Sequence, residues 1–560
     1  MSKLICVLLL LFPIVTFGQN WVNSIGNTGS NYGRQIALDR AKNVYITGSF
    51  YDTVDIDPSD AVYNLVSNGG GDIFLARTDS AGKLVWAKSF GTPNNESFTV
   101  FEVDEYGNTY LGFSFLGTLD LEINGTQTSF VSEPYNTSSI LFKADKDGNV
   151  QWAKVYERSV ALKDVEFNLE GNLIVSGTYS QLIFDVTIDN SGTMIGDKIL
   201  SGIFIASYDT TSKALLAVSD LKGGLFIHSM EVSKESGRLV LAADISSNSI
   251  IPFEGKDSVL NISFWHSVIS LVELNSATLK VTKVLPYRIS FQPYVAINNI
   301  GFDRQGNFII VGYCGNGVFD AGLTPGDTSI APEKNILEDI IMIKYDPQYK
   351  VVWNYRFTSE KYSRGYGLTV DNAGDIYISA SNAGQNSLDI EPGPGTTIIT
   401  GGAMVAKYSA AGSLLWGKNM NAPYIMIFNI TADENGVIYG IGIFRGENAK
   451  LNPDDNSIIT SSAGFTDAFY FRYFPSGITA IQDAGNIDFE KTMVYPNPCK
   501  NMLNINGEYE CAILYDFSGK PVTSYQYNGL PVDISELPAG IYMLLIQGRQ
   551  KSYTVKVVKE

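Results

Sequence analysis

The sequence has few of the side chains on which familiar enzyme chemistry depends. Its 560 residues include two histidines and four cysteines. It contains no Gly-x-Ser-x-Gly nucleophile elbow, no His-Glu-x-x-His zinc helix and no glycine loop that would cradle a phosphate. The sequence therefore contains none of the motifs typical of common hydrolases and nucleotide enzymes, and it assigns no catalytic residue.

Positive charge is also scarce. Lys and Arg number 40 against 58 Asp and Glu, which gives a formal net charge of −18 and excludes binding of nucleic acid by charge. Charged residues make up 18% of the chain and hydrophobic residues 45%, so the sequence does not describe a disordered polyelectrolyte. With 53 glycines and 31 tyrosines, and few long helical patterns, it favours an all-β protein of short strands and tight turns.

Long apolar runs are lacking after the N-terminus, so no transmembrane helix is expected. Lys3 precedes an apolar run from Leu4 to Val15, and small residues follow it. This pattern predicts a signal peptide over residues 1–19 and an exported protein. Cys6 lies at the start of the run, where it would not accept a lipid. Three cysteines remain after cleavage, too few for a fold that depends on a disulfide framework.

A turn motif of the form Asp-x-x-Gly-Asn recurs about every 65 residues. It is clearest at Asp104, Asp303, Asp371 and Asp433. With weaker copies included, the position equivalent to its glycine falls at residues 42, 107, 171, 237, 306, 374 and 436. Asp can bond its own backbone to start a turn, and Gly supplies the positive φ that closes it, so each copy predicts a β-hairpin.

A second motif follows in most periods and predicts a second hairpin. It leads from Asp79 to Trp86, and it returns before Trp152, Trp353 and Trp416. Two hairpins give four strands in each period, which is one blade of a β-propeller. The seventh period lacks its tryptophan strand, and Trp21 begins a segment that matches the one at Trp86. Residues 20–480 are therefore predicted to form a seven-bladed β-propeller closed by the N-terminal strand, with Trp21 as a structural latch.

The two motifs together resemble the bacterial surface propeller repeats known as SBBP repeats. The resemblance covers about residues 21–477, and it is good in periods one, two, five, six and seven and loose in three and four. Those repeats share no established chemistry, so the resemblance implies an architecture and no activity.

The period ends near Ile481, and a linker over residues 481–493 leads to a domain over residues 494–560. Its short alternating strands predict a small Ig-like β-sandwich. Its motifs resemble those of the type A C-terminal sorting domain of the type IX secretion system of Bacteroidetes, on residues Tyr495, Pro496, Asn497, Pro498, Gly519, Gly540, Tyr542 and Lys556.

That resemblance implies binding partners and a cellular location. The chain would engage the type IX secretion machinery, cross the outer membrane from the periplasm, and lose its tail in the linker. It would then be released outside the cell or attached to surface lipopolysaccharide. Cys499 and Cys511 either form a disulfide within this domain or remain two unpaired thiols, since sequence cannot place their Cα atoms.

A hydrophobic residue followed by an acid recurs after the first hairpin of each period. The copies are Val54-Asp55, Leu119-Asp120, Phe184-Asp185, Phe253-Glu254, Phe319-Asp320, Leu388-Asp389 and Leu451-Asn452. One interpretation is a calcium or sugar site, with Asp55, Asp57, Asp389 and Glu391 as the candidate metal ligands. The preferred interpretation is structural, because an acid at this position caps a turn and deters edge pairing.

Three further candidates are given structural interpretations. The segment from Asp145 to Gly148 lacks the later ligands of a calcium loop and is interpreted as a hairpin turn. His228 and His266 lie in apolar, strand-like runs and are interpreted as core histidines.

Two functions remain open. In the first, the chain is a non-catalytic surface or secreted protein for binding or adhesion, and connections of about 20 residues present one rim of loops to a glycan or protein. In the second, it is a glycan-active hydrolase or lyase with a carboxylate pair in the central funnel. An asymmetric acid pair in a deep pocket would favour the enzyme, and a shallow symmetric rim would favour binding.

Overall fold

The structure is a computed structural model that describes residues 20–559 apart from 157–158, 254–255, 260–267, 291–294, 316–317, 324–328, 331–337, 358, 360, 383–386, 393–394, 455–458, 475–493, 496–498, 506–510, 516–520, 527–530, 536, 539 and 548–551. The predicted signal peptide and linker therefore lie outside the described residues. The chain divides into two compact units, Met1–Ile478 and Thr479–Glu560. Within the described ranges every regular element is a β-strand, and no helix suited to crossing a membrane occurs there.

The predicted turns form where the sequence places them. All seven glycine-equivalent positions have positive φ, between 64° and 83°. In the turn at Asp104, the carboxylate accepts hydrogen bonds from the backbone amides of Tyr106 at 3.0 Å and Asn108 at 2.8 Å. The turn from Asp145 to Gly148 has the same geometry, with φ of 78° at the glycine. Both hairpin predictions are confirmed.

The first two periods contain β1 (Trp21–Ile25), β2 (Tyr32–Leu38), β3 (Val44–Phe50), β4 (Thr53–Asp55), β5 (Asn64–Val66), β6 (Asp72–Thr78), β7 (Leu84–Phe90), β8 (Ser97–Val103), β9 (Thr109–Phe115), β10 (Thr118–Ile123), β11 (Thr126–Val131), β12 (Ser138–Ala144) and β13 (Val150–Tyr156). Strands β2, β3, β6 and β7 pair in that order as one antiparallel unit. Strands β8, β9, β12 and β13 repeat the order.

The next three periods contain β14 (Val160–Phe167), β15 (Leu173–Tyr179), β16 (Ile183–Asp185), β17 (Met194–Gly196), β18 (Gly202–Tyr208), β19 (Leu215–Val232), β20 (Arg238–Phe253), β21 (Lys256–Val259), β22 (Val268–Asn275), β23 (Val281–Pro286), β24 (Arg288–Ser290), β25 (Val295–Phe302), β26 (Phe308–Cys314), β27 (Val318–Asp320), β28 (Ser329–Ile330), β29 (Asp339–Tyr345) and β30 (Val351–Phe357). Strand β19 is the last strand of one unit and continues as the first strand of the next. Strands β25, β26, β29 and β30 form a separate unit.

The last two periods contain β31 (Ser363–Val370), β32 (Ile376–Asn382), β33 (Ser387–Asp389), β34 (Ile398–Thr400), β35 (Ala403–Tyr408), β36 (Leu414–Met420), β37 (Tyr424–Ala432), β38 (Ile438–Arg445), β39 (Ala449–Lys450), β40 (Ile459–Thr460) and β41 (Asp467–Tyr473). Strands β31, β32, β35 and β36 form one unit, and β37, β38 and β41 are completed by β1.

The first strand of each unit is called here its inner strand. The inner strands are β2, β8, β14, the second half of β19, β25, β31 and β37. Each contacts the inner strand of the next unit, and β37 contacts β2, so the contacts run in a closed ring. The backbone amide of Ile36 in β2 donates to Asn429 Oδ1 of β37 at 3.3 Å across this closure. Four-stranded units arranged around a ring of inner strands are the β-propeller fold.

Strand β1 pairs antiparallel with β41, with Trp21 opposite Arg472. The Trp21 ring lies 6.4 Å from the Tyr439 ring, as the Trp86 ring lies 6.4 Å from the Tyr45 ring. Trp21 Nε1 also donates to the carbonyl of Ser80 in the next unit at 3.3 Å. Trp21 thus has the same kind of surroundings in the last unit as Trp86 has in the first.

The second compact unit contains β42 (Val494–Tyr495), β43 (Met502–Ile505), β44 (Cys511–Tyr515), β45 (Pro521–Gln526), β46 (Val532–Asp533), β47 (Gly540–Gln547) and β48 (Ser552–Lys559). One antiparallel sheet has the order β45-β44-β47-β48, and the other has β42-β43-β46. Side chains of both sheets, among them Leu503, Leu514 and Leu544, share one buried core.

Candidate functional site: the central channel

The inner strands surround the axial channel of the propeller, and their side chains line it. Each inner strand begins at the connection from the previous unit and ends at the Asp-x-x-Gly turn. We call these two ends the channel mouth and the turn end. Counting back from the first residue of the turn, most of the side chains described below lie two, five or seven positions earlier, while Asp164 lies four positions before Asn168 and Tyr424 nine positions before Asp433.

Aromatic side chains from neighbouring units gather at the channel mouth. The guanidinium carbon of Arg34 lies 5.2 Å from the centre of the Tyr32 ring and 5.1 Å from the Phe428 ring. The Tyr366 ring meets the Phe428 ring edge to face at 5.7 Å. Tyr424, 44% exposed, completes a set that we call the aromatic arc: Tyr32, Tyr366, Tyr424 and Phe428.

A second group faces the mouth from β14 and β19. Lys163 Nζ lies 4.8 Å from the centre of the Phe226 ring, and that ring is 43% exposed. The Phe226 ring in turn meets the His228 ring at 5.1 Å. His228 Nε2 lies 3.2 Å from Asp244 Oδ1, so this histidine is a partnered residue of the channel wall.

Carboxyl groups collect towards the turn end, and we call Glu102, Asp164, Glu166 and Glu231 the carboxyl cluster. Burial and the neighbouring acids raise the pKa of Glu102 to about 8 and that of Asp164 to about 8. The same causes raise the pKa of Glu231, and burial raises that of Glu166, which lies within hydrogen-bonding reach of Glu231. Lys234 Nζ is the nearby cation, 3.6 Å from Glu166 Oε2. At neutral pH the cluster therefore holds protons that solvent-exposed acids would release.

A cavity of about 360 Å³ opens at the turn end beside this cluster. Glu231, Lys234, Arg304 and Asp371 are among the residues that line it. Its walls carry side chains of both charges, and the only aromatic ring among the described lining residues is that of Phe302.

The recurring acids cap turns in the connections. Asp55 Oδ1 accepts hydrogen bonds from the amides of Asp57 at 3.2 Å and Tyr63 at 2.9 Å. Asp389 Oδ1 does the same for Glu391 at 3.1 Å and Thr397 at 2.9 Å. Five of the hydrophobic partners in these pairs are at most 1% exposed, namely Val54, Leu119, Phe184, Leu388 and Leu451, and Phe253 is partly buried.

The calcium interpretation of Asp55, Asp57, Asp389 and Glu391 stays a prediction. Hydrogen bonds from Ser59 lower the pKa of Asp57 and occupy one of its oxygens. Throughout the described ranges, no group of three or more His, Cys, Asp or Glu side chains is placed to hold a metal ion.

The connections that were predicted to present a rim of loops pack in part on the propeller. Their small hairpins, such as β4–β5 and β33–β34, lie against the last strands of their units, β7 and β36. Tyr63 Oη donates to the carbonyl of Ala87 at 3.1 Å, and Asn419 Nδ2 donates to that of Thr400 at 2.9 Å. The buried hydrophobic residue of each hairpin thus packs the connection against the outer strand of its unit, and the rim of loops stays a prediction.

Some of the remaining predicted residues lie within the described residues and some lie outside them. Tyr495 lies in β42, Gly540 and Tyr542 in β47, and Lys556 in β48; Pro496, Asn497, Pro498, Gly519 and His266 lie outside the described residues. Tyr542 Oη donates to the carbonyl of Pro538 at 2.8 Å. Cys499 is buried, but the side chain of Cys511 is not described, so the disulfide stays a prediction.

The channel residues were not predicted because they belong to no motif that repeats. Arg34 and Lys163 each stand five residues before the first residue of their turn, and Glu102 and Glu166 stand two residues before theirs. Glu231 stands two residues before Ser233, which opens the longer turn that contains Gly237. Counting back from the turns would have aligned these positions and shown that their side chains differ between units.

The C-terminal unit matches a known family, described as a secretion system C-terminal sorting domain, over residues 493–560. This is the sorting signal of the type IX secretion system, and the chain is therefore exported to the cell surface or the extracellular space.

Other similarities are low. The chain is 21% identical over 556 residues to an uncharacterized WD repeat-containing protein of Acanthamoeba polyphaga mimivirus, with 86% of this chain and 39% of that protein covered. It thus spans about two fifths of the length of this curated relative.

Two solved structures illustrate the structural similarity. The β-propeller domain of Cps50 (Swd1) from Myceliophteria thermophila is 7% identical with a TM-score of 0.36, covering 75% of this chain and 96% of that one. A protein of unknown function from Dyadobacter fermentans is 9% identical with a TM-score of 0.30, covering 68% of this chain and 94% of that one. The fold assignment rests on the strand pairing described above.

Proposed function

We propose that this exported propeller is a non-catalytic binding protein that holds an extracellular glycan at the mouth of its central channel. The proposal includes seven blades, closed by β1, and an Ig-like sandwich as the sorting tail. The observation that carries it is the aromatic arc, with Phe226 facing it from another sector of the mouth.

The chemistry of the mouth suits a saccharide. Aromatic rings offer flat apolar faces, and hydroxyl and guanidinium groups beside them donate hydrogen bonds, the combination by which concave sites orient a polar ligand. Phe226 and Tyr424 are each more than two fifths exposed, although aromatic side chains are usually more deeply buried. Their exposure at one opening supports a ligand that covers them.

The carboxyl cluster is the specific observation that favours the alternative, a glycan-active hydrolase or lyase. It is asymmetric, since its members come from β8, β14 and β19 only. Glycosidase carboxyl pairs stand about 5 to 9.5 Å apart so that the sugar or a water fits between them. Glu166 and Glu231 lie within hydrogen-bonding reach of each other, which leaves no such space, and this supports binding over hydrolysis by that pair.

The test is a glycan array with the secreted protein and its Phe226→Ala and Tyr424→Ala variants. We expect binding to at least one saccharide class, and each substitution should weaken it about tenfold, as the loss of about 1.4 kcal/mol of stacking would. Tyr135→Ala is the matched control, because Tyr135 is 98% exposed and follows β11 in a connection. The array is read in calcium and in chelator, because Asp55, Asp57, Asp389 and Glu391 remain calcium candidates.

Hydrolysis of every bound saccharide is followed in parallel. Turnover that disappears in the Glu231→Gln variant would establish the enzyme and refute the binding proposal. Binding that is equal in all three aromatic variants and the unmodified protein would show that the mouth is not the site.

A further inference from the structure

We infer that the ligand of the channel mouth is an anionic saccharide, whose carboxylate or sulfate groups are held by Arg34 and by Lys163. The inference rests on the proposed glycan site and adds the charge of its ligand. It follows from where the two cations lie and from what surrounds them.

Arg34 is a cation placed among aromatic rings. Its guanidinium stands over Tyr32 and Phe428, on the inner strands of two neighbouring units. In the part of the chain that the structure describes, no carboxylate forms an ion pair with it, and burial lowers its pKa. A guanidinium so placed has its donors available for an oxyanion, with which it forms two parallel hydrogen bonds.

Lys163 repeats this arrangement on another wall of the channel. Its ammonium lies over the Phe226 ring, and burial lowers its pKa. Among the described residues no acid lies within salt-bridge distance of it, although Asp164 is its neighbour in sequence; the side chain of Asp164 accepts the amide of Met230 at 2.8 Å. Lys163 therefore keeps a desolvated charge without an internal counter-ion.

The two cations stand at the same level of the channel, each five residues before the first residue of its turn, Asp39 and Asn168. Two cations without an acidic partner among the described residues are unusual in a chain with a net charge of −18, because a lysine or arginine there readily meets an acid. Arg364, at the mouth on β31, shows the usual outcome, because its Nη2 donates to Glu338 Oε1 at 3.0 Å.

The carboxyl cluster lies further along the inner strands than the two cations. Glu102 and Glu166 stand two residues before their turns, and Glu231 stands two residues before Ser233, which opens its turn. The carboxyl groups of Glu338 and Asp244, nearer the mouth, are partnered by Arg364 and His228. A saccharide entering from the mouth therefore meets aromatic rings and the two cations before it reaches the carboxyl cluster, and this order favours a ligand with negative charge at its leading end over a cationic one.

The experiment measures the affinity of the secreted full-length protein by calorimetry for paired probes. One pair is an oligouronate and the same oligosaccharide with its carboxyl groups reduced to alcohols. The other pair is a sulfated oligosaccharide and its desulfated form. Each member of a pair has the same sugar backbone, so that the difference in affinity reports the anion alone, and the two pairs distinguish a carboxylate from a sulfate.

The variants are Arg34→Gln and Lys163→Gln, with Arg34→Lys as the conservative change. Arg40→Gln is the matched control, because it removes one positive charge at a side chain that is 79% exposed and lies beside Glu105 outside the channel. Melting temperatures identify any variant that has not folded, in which case the other cation still tests the inference.

We expect one anionic probe to bind at least about tenfold more tightly than its neutral partner, as a charge-assisted hydrogen bond would provide. Arg34→Gln and Lys163→Gln should each remove most of that preference, Arg34→Lys should retain part of it, and Arg40→Gln should leave it unchanged. Higher salt should reduce it.

Equal affinity for the charged and neutral probes would overturn the inference, and so would a preference that survives in both Gln variants. If the neutral probes then still lose affinity in Phe226→Ala and Tyr424→Ala, the proposed glycan site stands without the anion. If no saccharide of either charge binds, both the inference and the proposed function are refuted.

Discussion

At the scale of single residues, the carboxyl cluster is the place where the fold most strongly opposes ionisation. Glu102 has a pKa of about 8 because it is buried beside Glu166 and Asp164, whereas a glutamate in an unfolded chain ionises near pH 4.5. Between these values the folded protein holds a proton that the unfolded chain has released. The contribution of Glu102 to stability therefore falls as the pH rises from about 5 to 8, and it is fully present only below the unfolded value.

The first prediction follows from this difference. Glu102→Gln should make the free energy of unfolding fall less steeply between pH 5 and 8. The slope should change by up to about 1.4 kcal/mol per pH unit, the value for one proton. Denaturant unfolding at several pH values measures the slope. Glu105→Gln is the control, because its side chain is 53% exposed and lies in the same strand-to-turn region. Equal slopes in the two variants would contradict the prediction.

At the scale of elements, β1 is the strand that completes the last unit of the propeller. It covers the edge of β41, which would otherwise be open to pairing with another molecule. The ring of Trp21 lies 5.5 Å from that of Tyr470 and 6.4 Å from that of Tyr439. The strand therefore supplies both backbone pairing and aromatic packing to the last unit.

The second prediction concerns this strand. Deleting residues 20–26 should lower the melting temperature sharply and increase aggregation, measured by calorimetry and light scattering. Trp21→Ala should cost about 2 kcal/mol, less than the 3 to 5 kcal/mol of a fully buried tryptophan, because its ring is only partly buried.

Trp86→Ala is the matched comparison, since both rings pack on a tyrosine at 6.4 Å. The two substitutions should cost the same within a few tenths of a kcal/mol. An unchanged melt on deletion of β1, or a Trp21 cost near zero beside a normal Trp86 cost, would show that the strand does not hold the ring together.

The elements also show which features the sequence could predict. The turns were predictable because a local rule governs them: a capping acid and a residue with positive φ, met even at Lys42, where φ is 64°. The run of β19 from one unit into the next was not predicted. No loop separates the two halves of β19, and the strand bends at Gly223, where φ is 87°. The sequence pattern of this segment predicts two strands instead of one.

The channel was harder to predict than the blades. Alternation marks the inner strands as half-buried, but it does not tell which face of each strand is turned to the axis. The turn-capping role of Asp55 and Asp389 was the preferred interpretation and agrees with their hydrogen bonds. The grouping of Arg34 with Tyr32 and Phe428 depends on the meeting of β2 with β37, which are distant in sequence.

At the scale of the whole molecule, the C-terminal unit and the propeller have separate cores. The third prediction is that removal of residues 494–560 leaves the propeller folded, with an unchanged melting transition, but retained in the periplasm of its native host. Fractionation with an antibody to the propeller measures the location. The Tyr135→Ala full-length protein, exported in parallel, controls for expression. Export of the truncated protein would contradict the sorting role of the tail.

The pairing of β1 with β41 has a consequence for the order of events during folding. Asn20, directly before this strand, accepts through its Oδ1 a hydrogen bond from the backbone amide of Phe474, 454 residues further along the chain. Strand β1 must therefore wait for the last blade before it finds its neighbour. Until then the folding chain exposes one unsatisfied sheet edge, which chaperones and proteases can recognise. A prematurely terminated product never hides that edge, so the geometry of the ring itself distinguishes finished molecules from fragments.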